Sequence, residues 1–408
     1  MSAQKVKFFK SPICLAAFRS RNYRLFFIGQ SLSMIGTFMT QVAIAWLIYD
    51  FTHSALLLGV AGFLGQFPTF VLAPFSGVLA DRWNRHHILI AVQLIGTVVS
   101  LILTVLYVLG QLNPVLLIIL STLIGLLRGL DVPVRQAFVI EMLESQDDLV
   151  NAIALNASLI NGARLIGPAI AGVMIAAVGA GSCFLIDTVS YGIVMVMLLM
   201  MQIQPKVRPA SSGRIWKNLE EGFRYVCQFS VIRSILLLLA LMSFMGMPYL
   251  TLLPVFAVEV FGGNAVTLGF LTAASGFGAF LAGIYLSTRT SIAGLDQLIA
   301  RSPAVLGSSL ILFAICKLFW ISLLLMAIAG FSSILQAASS NTLIQTIVDD
   351  NKRGRVMSFY AMCFMGTIPF GSFFAGISAN QIGASSTIAI GGAACVLGSL
   401  AFIRLCRR

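Results

Sequence analysis

Residues Gly77 to His86 read GVLADRWNRH, a charged stretch of hairpin length between two long apolar runs. Asp81, Arg82 and Arg85 are the only fully charged side chains between Ser54 and Gly110. A charged side chain at the centre of a bilayer costs roughly 3 kcal/mol. The stretch therefore predicts a turn at a membrane surface, with an apolar helix on either side.

The rest of the chain repeats this pattern. Of 408 residues, 59% are hydrophobic and only 10% charged, and the mean hydropathy is +0.97. A soluble domain carries about 25% charged residues, so a water-exposed globule is excluded. A spanning helix takes about 20 apolar residues. Apolar segments run over 25–49, 55–80, 88–110, 114–138, 150–178 and 183–203, then over 234–259, 265–288, 298–318, 320–346, 356–380 and 386–404. The expectation is an all-α membrane protein of twelve transmembrane helices: a six-helix half over 1–203, a linker over 204–233, and a second six-helix half over 234–408, with no room for a sizeable soluble domain. Within the linker, WKNLEEGFRYV sets Trp216, Leu219, Phe223 and Val226 on one helical face. This predicts an amphipathic helix lying on the inner membrane surface.

Charge fixes the expected orientation. The formal net charge is +12, and the basic clusters lie before the first span and otherwise only in alternate linkers, around Arg82, Arg214, Lys352 and Arg404. The intervening linkers hold a single basic residue, Lys317. The positive-inside rule then puts both termini in the cytoplasm of a multi-pass protein of a bacterial-type inner (plasma) membrane. A nucleic-acid-binding surface would not alternate in this way. The seven cysteines show no paired spacing and read as unbridged packing residues. No metal motif, cofactor motif or cleavable signal is apparent, and the phosphate loop GxxxxGK[ST] is absent, so no ATP site is expected.

The two halves also repeat. Gly167 and Gly371, Gly172 and Gly376, and Gly179 and Gly383 are each 204 residues apart, which is half the chain. Parallel halves related by an axis along the membrane normal are the expected architecture.

The GVLADRWNR loop resembles the signature loop between the second and third helices of the major facilitator superfamily. GLDVPVRQAFVIEMLESQDDLVNAIALNASLINGARLIGPAIAGVMIAAVG and QTIVDDNKRGRVMSFYAMCFMGTIPFGSFFAG look like its enterobactin-exporter-like, drug-efflux branch. The resemblance implies a secondary active transporter, not an enzyme, working without a cofactor and as a monomer among membrane lipids. It would export a small amphipathic molecule, siderophore or drug-like, by proton antiport and alternating access. It further implies a cytoplasmic gate at Gly77, Asp81, Arg82, Arg85 and Arg135, with Asp81 facing the start of the eleventh span near Gly354. GARLIGPAIAG resembles the superfamily's antiporter signature, at Gly162, Gly167, Pro168 and Gly172. In the second half GIYLSTRT lacks the aspartate of the loop, so a symmetric gate is not expected there. Alternatives are a lipid or lysophospholipid flippase, a non-transporting membrane sensor, and a membrane-embedded enzyme, for which no paired catalytic groups are found.

Intramembrane charge is the sharpest pointer to function. Arg128, Asp131 and Arg135 form one stripe of the fourth span, at i, i+3 and i+7, and Arg164 lies near the middle of the fifth. Asp131 can pair with Arg128 or Arg164, either as a proton-coupling device or as a static ion pair. Asp187, near the outer end of the sixth span, is expected to have a packing role. Gln30, Thr37 and Gln41 share a narrow arc of the first span with Ser33 beside them, and Ser332, Gln336 and Ser339 do the same in the tenth. These stripes, with Met245, Met247 and Tyr249 of the seventh span, are the expected cargo cavity. The competing reading is that the hydroxyls bond their own helix backbones.

Overall fold

The computed structural model describes residues 16–203, 215–289 and 291–406, with side chains described outside 73–82, 146, 215–220, 350–351 and 405–406. Among the described residues, twelve helices are long and apolar enough to cross a membrane. The first six spans are α1 (Arg21–Thr52), α2 (Ala55–Arg82), α3 (Arg85–Val108), α4 (Pro114–Met142), α5 (Leu149–Val178) and α6 (Gly181–Leu199). After α7 (Ile215–Gln228), the seventh span comprises α8 (Ser230–Leu241), a π-turn over Met242–Gly246, α9 (Tyr249–Val255) and a second π-turn over Phe256–Val260. Then follow α10 (Ala265–Thr288), α11 (Leu295–Ile315) and α12 (Phe319–Ile347). The eleventh span joins α13 (Asp350–Ala361), a π-turn over Met362–Gly366 and α14 (Thr367–Ile382), and α15 (Ala384–Cys406) is the twelfth.

The span ends follow from local chemistry. The Asn113 side chain accepts from the Leu116 amide at 2.9 Å, and Pro114, which has no amide hydrogen to satisfy, opens α4. Asn84 and Asn264 cap α3 and α10 in the same manner. Gly179 and Gly383 terminate α5 and α14 at φ 94° and 85°, values that disfavour a Cβ. They are one of the sequence pairs 204 residues apart.

The other two pairs also occupy equivalent places. A Cβ on Gly167 would meet Phe38 of α1, whereas one on Gly371 would meet the Phe244 carbonyl of the seventh span. A Cβ on Gly172 would meet the Ala265 carbonyl and Gly269 of α10, and one on Gly376 would meet Ala55 and Gly59 of α2. In each half one glycine thus seats its helix on the half's first span, and the next seats it on the opposite half.

With an even number of spans, the described chain begins and ends at one end of the bundle, here the terminal end. The opposite, distal end is where α1 passes into α2. The halves meet along α2 with α14 and α5 with α10, and α1 and α2 also touch α9. These seams start at the distal end, at Gly59 with Gly376 and Gly172 with Gly269. They continue to mid-depth, where Phe70 packs on Gly366 and the Arg164 carbonyl faces Gly276. Tyr49 at the distal end of α1 donates a 2.5 Å hydrogen bond to Glu259 of the seventh span.

The sixth span stops at Leu199 and the seventh begins at Ser230, four residues earlier than its apolar run. Arg233 is accommodated in that first turn because its guanidinium bonds the Cys227 carbonyl at 3.2 Å. Amphipathic α7 docks on α13: Glu221 pairs with Arg355, Phe223 lies 6.2 Å from Phe359, and Lys352 sits 4.7 Å over the Tyr225 ring. Trp216 and Leu219 lie outside the described side chains.

Candidate functional site

α1 is the organising helix of the site, because its polar stripe is touched by three others at mid-depth. When the Gln41 amide is turned so that its oxygen faces α4, that oxygen accepts from both terminal nitrogens of Arg128. Gln41 is exposed and Arg128 half-buried, although Arg128 lies at the middle of α4. Both side chains therefore border open space inside the bundle. Thr37, one turn before Gln41, lies beside the Tyr191 phenol of α6. Phe38 lies under Arg164 of α5, with the guanidinium carbon 6.0 Å from the ring centroid. Gly167 makes that approach possible, since a Cβ there would sit 2.8 Å from Phe38 Cβ.

Asp187 projects from α6 into the same half and is 2% exposed. Its Oδ2 accepts from Thr40 of α1 at 3.0 Å and from Ser100 of α3 at 3.1 Å. Its Oδ1 has no hydrogen-bond partner. Gly36 leaves room for it, since a Cβ on that residue would lie 3.0 Å from Oδ1. Arg128 is within electrostatic reach of Asp187, Tyr191, Asp131 and Arg135, but no carboxylate lies within ion-pair distance of it among the described residues. Arg164 has no such partner either, and its electrostatic neighbour is the Tyr249 phenol.

Asp131 pairs with neither Arg128 nor Arg164. It sits 3.3 Å from Arg135, one turn on along α4, and accepts from Gln93 of α3 at 3.4 Å. Of the gate residues, Gly77, Asp81 and Arg82 lie outside the described side chains. Arg85 is buried, pairs with Glu141 at 3.1 Å and donates to the Ala137 carbonyl at 2.9 Å. The antiporter-like residues divide: a Cβ on Gly162 would meet nothing within 4 Å, Gly167 packs on α1, and Gly172 and the Pro168 carbonyl pack on Gly269 of α10.

The remaining expected cavity residues are placed unevenly. Gln30 and Ser33 are buried. Ser332, Gln336 and Ser339 are wholly buried in α12, where Ser332 bonds its own helix at 2.8 Å. Both ends of the Gln336 amide and the Ser339 hydroxyl lack partners. Tyr249 bonds Ser275 of α10 at 2.6 Å, the Met245 carbonyl packs on Gly391 of α15, and Met247 is half-buried. The π-turn over Met242–Gly246 inserts an extra residue into this helix, so these three side chains do not follow the 3.6-residue period of a regular helix. Sequence reasoning missed Ser100 and the link between Tyr49 and Glu259. A lone serine in an apolar run carries no periodic signal, and the link joins residues 210 positions apart. Among the described residues no cluster of three metal-ligating side chains occurs.

Two six-helix bundles joined along paired seams, with charged residues at mid-depth, define the major facilitator fold. The nucleoside transporter NupG, in the structure of a point mutant, superposes with a TM-score of 0.73 over 94% of this chain and 99% of its own, at 11% identity. A bacterial homologue of the lysosomal transporter Spinster gives 0.67 over 97% and 96%, at 15% identity. The family model for transmembrane secretion effectors matches residues 13–407, and the chain belongs to that family. It is similar to the staphyloferrin A transporter of Staphylococcus aureus, 27% identical over 94% of this chain and 96% of that one. Macrolide efflux protein A of Streptococcus pyogenes is 24% identical over 89% and 91%, and the enterobactin exporter EntS of Shigella boydii 24% over 94% and 91%. The protein is thus a major facilitator transporter of small molecules and not an enzyme. It is a multi-pass protein of the inner (plasma) membrane.

Proposed function

We propose that this transporter exports a siderophore or drug-like amphipathic molecule by alternating access, as a monomer surrounded by lipid, with inward proton flow as the driving force. The observation that carries this reading is the asymmetry of the bundle. The halves are sealed from the distal end to mid-depth, while Gln41 and Arg128 still border open space. Basic residues Arg85, Arg135, Arg353, Arg355 and Arg404 gather toward the terminal end and Lys317 lies at the distal one, which supports a cytoplasmic terminal end. The site then faces the cytoplasm, as loading of an exporter requires. The efflux relatives supply the direction and the cargo classes.

For the proton, geometry favours Asp187 over Asp131. Asp131 is paired with Arg135, a neighbour on the same helix that moves with it, so this contact does not change as helices repack. Asp187 is held by hydroxyls from two other helices and retains a bare oxygen, so its proton affinity responds to how α1, α3 and α6 pack. Only a group with different affinity in the two states can bias them. Everted vesicles supplied with a panel of siderophores and macrolides, with and without an imposed pH gradient, test the proposal. Gradient-dependent accumulation inside the vesicles is expected. Accumulation of none of the panel, or accumulation indifferent to the gradient, overturns export or antiport respectively.

A further inference from the structure

Arg128 and Arg164 are the two cations at mid-depth of the first half, and neither has a carboxylate within ion-pair distance among the described residues. We infer that they form an anion-recognition site, and that the preferred cargo is an organic carboxylate bearing an aromatic or apolar body rather than a cationic amine.

The placement is specific. Gln41 and Phe38 are three residues apart on α1 and so face the same way. Arg128 is held by the first and Arg164 lies over the second, which fixes two guanidinium groups one helical turn apart along a single stripe. Gln41 occupies only the terminal nitrogens of Arg128 on one edge, and a guanidinium has five donors. Arg164 makes no hydrogen bond among the described residues, and the Phe38 face neutralises none of its charge. Both guanidinium groups are half-buried at mid-depth without a protein carboxylate to pair with, so an anion entering the open space beside them meets two unneutralised cations. Carboxylates match the guanidinium fork in a bidentate manner. Of the two carboxylates nearby, Asp131 is paired with Arg135, and Asp187 is committed to Thr40 and Ser100 and stays beyond ion-pair distance of Arg128. It balances one charge of the two, leaving a net positive site that repels an amine. Phe38 beside Arg164 provides the apolar surface for the body of the cargo.

This inference rests on the transport reading only in treating the open space beside Gln41 as the cargo path. It is tested by equilibrium binding to the purified full-length protein in detergent, with calcein, an aromatic polycarboxylate, against ethidium, an aromatic cation. Wild type is expected to bind calcein at least tenfold more tightly than ethidium. Arg164→Gln should weaken calcein about tenfold or more, the effect of losing one charge-assisted hydrogen bond, while Arg164→Lys should recover part of the loss. Ethidium binding should improve in Arg164→Gln. Thermal unfolding of each variant establishes that it is folded; if Arg164→Gln is not, Phe38→Leu, which removes only the ring face, should weaken calcein several-fold. Equal affinity for both probes, binding of neither by folded wild type, or unchanged calcein binding in Arg164→Gln overturns the inference. Calcein bound as expected yet not accumulated by everted vesicles would sink the transport reading and leave the anion site standing.

Discussion

At the scale of single residues, Asp187 shows how little of a buried contact set position alone reveals. Its place near one end of an apolar segment gave no reason to expect two hydroxyl donors from other helices, because Thr40 and Ser100 are 147 and 87 residues away in the chain. Asp131 was legible as an intramembrane charge, but which arginine it meets was not, since Arg128 and Arg135 are both within a helical turn or so of it. Asp187→Asn is expected to fold, because an amide oxygen still accepts from Thr40 or Ser100, and to transport without response to a pH gradient. Asp131→Asn should keep that response. Gradient-driven accumulation in vesicles carrying each variant decides between them, and a retained response in Asp187→Asn would move the proton elsewhere. Gly36→Ala places a methyl 3.0 Å from both Asp187 Oδ1 and Ser190 Oγ. Forcing a methyl into a packed site costs about 1–3 kcal/mol, so its melting temperature should fall by several degrees in a scan beside wild type.

Whole elements were far more legible than their faces. The apolar runs located all twelve spans to within a few residues, since hydrocarbon thickness sets their length and charged linkers set their ends. Faces failed where the helix is irregular, as in the seventh span, whose two π-turns shift the register that periodicity assumes. The glycine-rich run of α5 is a second case: one motif in sequence serves three environments in space. A Cβ at position 172 would sit 2.7 Å from the Ala265 carbonyl, and one at position 162 would meet nothing within 4 Å. Gly162→Ala should therefore be neutral or stabilising by up to about 1 kcal/mol, the helix-propensity gain of alanine over glycine. Gly172→Leu must push α5 from α10 and loosen the distal seam. A cysteine introduced at Gln41 should then react with a membrane-impermeant thiol reagent added from the distal side in Gly172→Leu but not in Gly162→Ala. Equal reactivity in the two would show that the seam does not depend on this close approach.

Across the whole molecule, the repeat of 204 residues appears as two symmetry-related seams, Gly172 on Gly269 and Gly376 on Gly59, and a two-state device requires such paired surfaces to open together. Tyr49 and Glu259 join the halves beside the seams at 2.5 Å. A hydrogen bond to a charged group contributes roughly 1.5–3 kcal/mol, less where the carboxylate is exposed as it is here. Tyr49→Phe should accordingly raise the distally open population about fivefold, read by spin-label distances across the distal end. The stronger test locks the seam. A Cβ on Gly62 would lie 3.1 Å from Ser372 Cβ, and a disulfide spans about 3.5–4.5 Å between such atoms. A shift of a few tenths of an ångström admits a bridge between Gly62→Cys and Ser372→Cys in a background whose seven native cysteines are replaced. Oxidation should fix the distal end shut, leave calcein binding from the terminal side intact and stop transport, and a reductant should restore it. If the bridged protein still transports at its reduced rate, cargo crosses without separation of α2 from α14. Alternating access about this seam would then be wrong, whatever the identity of the cargo.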